Sequence, residues 1–251
     1  MTALERLNMV QGAKKTCLGE TEFSYKSGQC AVTCVGRPCG SMITEAAEDK
    51  PMLCVALDID GGLMAELIGE ANLPKPERNA GTGIGVVDAD DALTDAFYRL
   101  LCLKDYPADQ KKVLSSFVVR EIYYRLLTTP IGNELRLANT TGTRSNQIAR
   151  ATAWLKANFK KAFSVEELAD RVNMSSTSFY RNFNKITGVS PIQYQKRLRL
   201  HEAQRLMIAE SVDAARAAYE VGYESVSQFN REYKRLFGAP PKTDVNRLKN
   251  A

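Results

Sequence analysis

Two stretches in the rear of the chain carry hydrogen-bonding side chains at helical spacing. In SSTSFYRNFNK, residues 175–185, Thr177, Ser178, Tyr180, Arg181 and Lys185 are interleaved with Phe179 and Phe183. In ESVSQFNREYK, residues 224–234, Ser227, Gln228, Asn230, Arg231 and Lys234 are interleaved with Phe229 and Tyr233. The chemistry these groups can do is recognition. An arginine fork matches the two acceptors of guanine in the major groove, and a Gln or Asn amide matches the donor and acceptor of adenine. Lysine ammonium groups and serine hydroxyls suit phosphates, which set register without reading sequence.

Such side chains need a rigid element to present them. The aromatic residues recur at i, i+4 and i+7, as Phe179, Phe183, Ile186 and as Phe229, Tyr233, Leu236 or Phe237. That spacing predicts two amphipathic helices whose aromatic faces are core. Each is preceded by a short helical segment, a small residue (Ala169, Ala218) and, four positions on, a residue suited to a left-handed turn (Asn173, Gly222). Ser175 or Ser176 can cap the first presenting helix and Ser225 the second. The pattern predicts two helix-turn-helix units, over about 165–188 and 213–238. Between them, SPIQYQKRLRLHEAQRLMIAE starts with a capping Ser190 and Pro191 at the first helical position, which predicts a helix over about 190–210. Ile192, Leu198, Ala203 and Leu206 fit its inward stripe, and Lys196, Arg197, Arg199 and Arg205 add positive charge. A rod of about 20 residues is about 30 Å long, close to the roughly 34 Å of one DNA turn. His201 on this rod has no nucleophile or metal-ligand partner nearby, and a solvated or partly packed position is expected.

Charge agrees with that division. From Arg144 onward there are 19 Lys and Arg against 10 Asp and Glu, whereas the first 143 residues hold 15 against 19. A basic rear and a mildly acidic front point to a polyanion as partner of the rear alone. The 251 residues, 44% of them hydrophobic, are enough for two domains with real cores. No apolar run is long enough to span a membrane, and MTALERLNMVQ does not read as a secretory signal. The expected location is the cytoplasm.

The front, residues 1–137, reads as strands over about 14–57 and helices over about 61–129. Turns are expected at Gly19-Glu20, KSGQ and GRPCG, with CVALDI as a strand covered on both faces. GLMAELIGE is helical, NLPKPERNAGTGIG is a loop, Asp90 opens a helix, and Asp109 opens a longer one with Val113, Phe117, Ile122 and Leu126 as its stripe. Residues 138–144 read as a linker, leaving 145–251 as a second domain. The fold class is therefore α+β: a small antiparallel β region plus helices, then an all-α domain of two helix-turn-helix subdomains joined by a long helix.

No catalytic constellation is present. GxSxG, HExxH and a phosphate loop with lysine are all missing, and GTGIG at 81–85 lacks the strand–turn–helix context of a dinucleotide site. The six cysteines, Cys17, Cys30, Cys34, Cys39, Cys54 and Cys102, lack a second close pair for zinc. No cofactor and no metal is expected, and the protein is not expected to be an enzyme. The rival reading from another class is a thiol-reactive sensor or alkyl acceptor using Cys30, Cys34 or Cys39, carried to DNA by the rear domain.

LADRVNMSSTSFYRNFNKITGVSPIQYQKRLRLHEAQRL and YEVGYESVSQFNREYKRLFGAPP resemble the DNA-binding domain of the AraC/XylS family of bacterial transcriptional regulators. MVQGAKKT, LGETEFSY, GQCAVT and VALDID resemble, less closely, a regulatory domain of one branch of that family. The resemblance implies a cupin-like front that binds a small-molecule effector or mediates homodimer contacts. It also implies a rear that binds double-stranded DNA, with RNA polymerase as a further partner. Only eight residues precede Met9 where the resemblance implies more, so a barrel shortened at its start is expected. Asn173 stands where the family usually has Gly, and PPKTD where it continues toward Tyr-Arg. Carried over residue by residue, base contact falls on Thr177, Tyr180, Arg181, Ser227, Gln228 and Arg231. Phosphate contact falls on Ser176, Lys185, Ser225 and Lys234.

Overall fold

A computed structural model describes residues 5–18, 21–36, 40–77 and 83–249. The expected turn at Gly19-Glu20, most of the GRPCG turn and the first two residues of GTGIG lie outside the described residues. The chain divides into two compact units, one running to Ala149 and the other from Arg150, with Ile186–Gly188 grouped with the first.

Among its described residues the first unit has seven strands: β1 (Glu5–Gln11), β2 (Ala13–Leu18), β3 (Thr21–Lys26), β4 (Gln29–Thr33), β5 (Gly40–Glu45), β6 (Leu53–Asp58) and β7 (Ile84–Asp88). They form two antiparallel sheets, ordered β6-β1-β4-β7 and β3-β2-β5. Alternate residues of β4 are buried, Cys30 and Val32 completely, as expected of a strand with one face on a core. Met9 and Tyr25 pack with Ala31, Met52 and Val86. Three sequence expectations change here. Strands begin at Glu5 rather than near residue 14, and β7 forms where a loop was expected, because Ile84–Asp88 finds a partner in β4. CVALDI is not covered on both faces: β6 is an edge strand, and Leu53 and Cys54 are exposed.

The helices of this unit are α1 (Gly61–Glu70), α2 (Asp91–Cys102), α3 (Ala108–Leu127) and α4 (Gly132–Asn139), with a 3-10 turn at Leu103–Asp105. Asp60 and Asp90 cap α1 and α2 with their carboxylates. The Tyr123 hydroxyl donates to the Asp58 carbonyl and accepts from the Asp60 amide, both at 2.8 Å, which ties α3 to the corner between β6 and α1. The expected stripe of α3 is only half buried. Ile122 and Leu126 are inside, but Val113 and Phe117 are 56% and 64% exposed. Periodicity reports that apolar residues share a side, not that anything covers the whole of it.

The second unit continues α5 (Arg144–Asn158), whose first turns belong to the first unit, so the stretch read as a linker ends inside a helix. There follow α6 (Val165–Arg171), α7 (Ser176–Thr187), α8 (Pro191–Ala209), α9 (Ala214–Glu220), α10 (Val226–Phe237) and α11 (Pro241–Lys249). A capping box between Ser164 and Glu167 starts α6, Asp213 caps α9, and Ser190 with Pro191 starts α8. Ala169 and Ala218, the small residues ahead of the two turns, are fully buried. The same backbone bond closes both turns: the Met174 amide donates to the Ala169 carbonyl and the Tyr223 amide to the Ala218 carbonyl, each at 3.0 Å. Asn173 and Gly222 take the left-handed conformation, with φ of 57° and 91°.

The helix α8 is buried along more than one side, through Tyr194, Gln195, Leu198, Leu200, Ala203, Leu206 and Met207. Ile192, expected inside, is 51% exposed. Arg199 reaches across from α8 and donates to three carbonyls: Phe159 at 2.7 Å, Gly222 at 2.8 Å and Lys160 at 3.0 Å. Gln195 donates to Phe159 and Lys161. The connection between α5 and α6 is thereby tied to the turn between α9 and α10. The closing helix α11, which the sequence reading did not assign, buries Asp244. Its Oδ2 accepts from Tyr233 at 2.9 Å and Gln204 at 2.7 Å, and its Oδ1 from Arg247. His201 is half-buried with its ring edge-on to Phe237, 5.2 Å between centroids. Burial, and then nearby positive charge including Arg197, lowers its pKa from 6.5 to about 4.

The two turns differ in a testable way. A Cβ at Gly222 would lie 2.6 Å from the Lys160 carbonyl and 3.2 Å from the Arg199 guanidinium. Gly222→Ala should therefore cost about 2–4 kcal/mol, the strained φ and the clash together. Asn173→Gly should change stability by at most about 1 kcal/mol. Urea denaturation of the two variants checks both. His201 is neutral in the fold, whereas the unfolded chain takes up a proton near pH 6.5. Its contribution is complete above that pH and is lost as pH falls toward 4. Relative to His201→Gln, the protein should lose up to about 3 kcal/mol between pH 7 and pH 4, read from melts at stepped pH.

Candidate nucleic-acid interface

The helices α7 and α10 are held by their aromatic faces. Phe179 and Phe183 have no exposed surface, and the Phe183 ring meets Tyr194 of α8 edge-on at 5.5 Å. Phe229 and Tyr233 are likewise fully buried, and Tyr223 lies edge-on to Phe229. With those residues committed, helical geometry sends the intervening side chains outward. Thr177, Tyr180, Arg181 and Lys185 are exposed on α7, and Ser227, Gln228, Asn230, Arg231 and Lys234 on α10. Ser175, not Ser176, begins α7: its Oγ accepts from the Ser178 amide at 3.4 Å, and Ser176 is half-buried in the first turn. The Ser225 Oγ accepts from the Gln228 amide at 3.3 Å and remains exposed.

The second turn holds one residue more than the first. Asn173 lies six positions before Phe179, whereas Gly222 lies seven before Phe229. Equivalent positions in the two helices are therefore Thr177 and Ser227, Ser178 and Gln228, Tyr180 and Asn230, Arg181 and Arg231. The base contacts implied by the resemblance include Tyr180 and Gln228 but not their counterparts Asn230 and Ser178, although all four belong to the two stretches of hydrogen-bonding side chains. The cue was the spacing from turn residue to first aromatic.

Acidic charge is kept away from both faces. No Asp or Glu occurs in α7, and Glu232 is the one acid in α10. Its side chain is 11% exposed and accepts from Lys196 at 2.6 Å, from Tyr223 at 2.8 Å and from Gln228 at 3.1 Å. Burial opposes ionisation of Glu232, but hydrogen bonds from Lys196, Gln228 and Tyr223 outweigh it and hold the carboxyl below its usual range. The cations divide, apart from Arg197 of α8, which makes no ion pair among the described residues. On α8, Lys196 pairs with Glu232, Arg199 is spent on carbonyls, and Arg205 pairs with Glu202 and Glu210. Arg181, Lys185, Arg231 and Lys234 make no ion pair among the described residues.

Elsewhere, Cys30 and Cys34 are 0% and 2% exposed, and Cys39 lies outside the described residues. Among the described residues no group of three His, Cys, Asp or Glu side chains is placed to hold a metal ion. None of their helices is long and apolar enough to cross a membrane.

Comparison with known proteins agrees with this geometry. Residues 6–134 match the family model for the AraC-type transcriptional regulator N-terminus, and residues 168–247 match a helix-turn-helix domain. The chain is similar to the HTH-type transcriptional regulator GbdR of Pseudomonas aeruginosa, 29% identical over 123 residues, 49% of this chain and 34% of that protein. It is also similar to the HTH-type transcriptional activator RhaS of Escherichia fergusonii, 29% identical over 129 residues, 51% of this chain and 46% of that protein. The matched stretch thus spans less than half of either relative. A crystal structure of an apo ToxT variant from Vibrio cholerae covers 96% of this chain and 88% of its own, with a TM-score of 0.66 at 10% identity, a likeness of fold. The match of the AraC-type regulatory model to half of the chain, with a helix-turn-helix domain behind it, makes this chain a member of the AraC-type family of transcriptional regulators.

Proposed function

We propose that the protein regulates transcription by binding double-stranded DNA through α7 and α10, each lying in a major groove. Base contact falls on Thr177, Tyr180 and Arg181 of α7 and on Ser227, Gln228 and Arg231 of α10. Phosphate contact falls on Ser176, Lys185, Ser225 and Lys234. The observation that carries this reading is the pair of outward helix faces, on which Arg181, Lys185, Arg231 and Lys234 make no ion pair among the described residues. The 19 residues of α8 give a rod of about 28 Å, a length suited to two heads on grooves one DNA turn apart, roughly 34 Å. One chain then engages two successive grooves. The protein acts by binding rather than by catalysis, in the cytoplasm where its target lies.

The first unit is the natural seat of regulation. An unsaturated fatty acid occupies ToxT in a crystal structure of similar fold (TM-score 0.62, 12% identity). We carry from that only the class of role: a small-molecule effector at the first unit, with a second copy of the chain and RNA polymerase as further partners. The thiol-based alternative is not favoured: Cys30 and Cys34 are buried, and Cys39 lies outside the described residues.

Selection of bound duplexes from a random pool yields the site, and two substitutions then separate the roles. Arg231→Ala should cost about 1–3 kcal/mol and relax preference at one base pair. An unchanged profile across single-base variants removes Arg231 from the readers. Lys234→Ala should weaken binding almost equally on all sequences and lower the slope of log affinity against log salt by about one. A base-specific effect would contradict its assignment to phosphate.

A further inference from the structure

The cluster around Glu232 bears on what Gln228 can read. Glu232 follows Gln228 by one helical turn, and its carboxylate is turned toward α8. Oε1 accepts from the Lys196 ammonium and from Gln228 Nε2, while Oε2 accepts from the Tyr223 hydroxyl. An ionised carboxylate can only accept. The amide of Gln228 can therefore meet it through nitrogen alone, because the flipped amide would set oxygen against oxygen. An amide on an exposed helix face is ordinarily free to turn over. Here the buried, salt-bridged carboxylate beside it removes one of the two orientations.

The orientation left has a defined outer edge. One N–H of Nε2 is spent on Glu232. The carbonyl oxygen Oε1 and the second N–H of Nε2 remain. An acceptor beside a donor complements adenine in the major groove, which offers the N6 amino donor beside the N7 acceptor. Guanine offers O6 and N7, two acceptors, and opposes Oε1. The first helix has the opposite arrangement: Asn182 Nδ2 donates back to Ser178 Oγ at 3.2 Å, with no carboxylate involved.

We infer that Glu232, although turned inward and out of reach of a duplex, is a specificity-determining residue: it fixes the amide of Gln228 so that α10 takes adenine and rejects guanine at the base pair Gln228 meets. The inference rests on the proposed reading of DNA by α10, and the experiment keeps the two apart.

The full-length chain is titrated against the selected site and all its single-base variants, in competition format, for the unsubstituted protein and its variants. Gln228→Ala locates the base pair, as the position where preference collapses. If no position responds, Gln228 reads nothing and the DNA reading at that residue fails, taking the inference with it. Where a position responds, Glu232→Gln replaces the carboxylate with a group that can also donate, so that the Gln228 amide turns over freely. The ratio of adenine to guanine affinity at that position should fall about tenfold or more. Preference at the position that Arg231→Ala flattens should stay within about twofold. An unchanged adenine-to-guanine ratio overturns the inference, and so does an equal loss at every position, which marks a purely structural role. Should Glu232→Gln fail to fold, Glu232→Met frees the amide in the same way and carries the same expectation. Tyr223→Phe removes one donor from the cluster but leaves the carboxylate beside Gln228. It should lower the melting temperature and keep the ratio, and loss of the ratio there would show general loosening and overturn the inference.

Discussion

One guanidinium holds the second unit in register. The carbonyls of Phe159, Lys160 and Gly222 lie at chain reversals, where no helix supplies a donor. Arg199 meets all three from the middle of α8. A planar fork with five N–H donors can do this, and a lysine ammonium cannot reach three divergent acceptors with the same fixed geometry. The contact joins the connection ahead of the first helix-turn-helix to the turn inside the second. It also explains why Gly222 must lack a side chain: the space a Cβ would occupy is taken by the Lys160 carbonyl and by Arg199 itself. Separation and tilt of α7 and α10 therefore depend on a hydrogen-bonded knot as well as on the stiffness of α8.

The same unit spends its positive charge in two ways. Arg199, Lys196 and Arg205 on α8 serve internal acceptors, and their charge is compensated within the fold. Arg181, Lys185, Arg231 and Lys234 stand on exposed faces with no such partner among the described residues. A count of basic residues treats both sets alike, which is why the net charge of the rear overstates the charge on offer to a phosphate backbone. Keeping the single acid of α10 under Lys196 and Tyr223 also leaves no uncompensated carboxylate within that helix. Of the donors to Glu232, Lys196 ties α10 to α8 and Tyr223 ties it to the turn ahead of it.

In the first unit, two small sheets accompany four helices, with α1 between β6 and β7 in the chain, and the Tyr123 hydroxyl pins the longest helix to the corner where β6 gives way to α1. The exposed beginning of α3, with Val113 and Phe117, contrasts with its buried end at Ile122 and Leu126. One helix thus serves a packed core at one end and an open surface at the other.

Local rules made much of the rear legible from residues alone. The 3.6-residue recurrence of Phe179, Phe183, Phe229 and Tyr233, the serine caps, Pro191 at a helix start and the turn positions Asn173 and Gly222 each report a short-range preference of the backbone. Their agreement located α6 to α10. Long-range pairing was not legible. Nothing near Ile84 announces that β7 will pair with β4, and nothing in CVALDI tells an edge strand from a central one, because both depend on which neighbour the chain brings alongside. The candidate base-reading residues were visible as types on a helical face, but their partners were not. That Arg199 is consumed, that Asp244 is buried beneath Tyr233, and that Lys196 of α8 reaches Glu232 of α10 are facts of tertiary contact. Each joins side chains from different elements or turns on burial, which no spacing encodes. The sequence by itself determined which helices form and which side chains they carry outward; only the folded chain decided which of those side chains remain available, because availability depends on whether another group has already satisfied them.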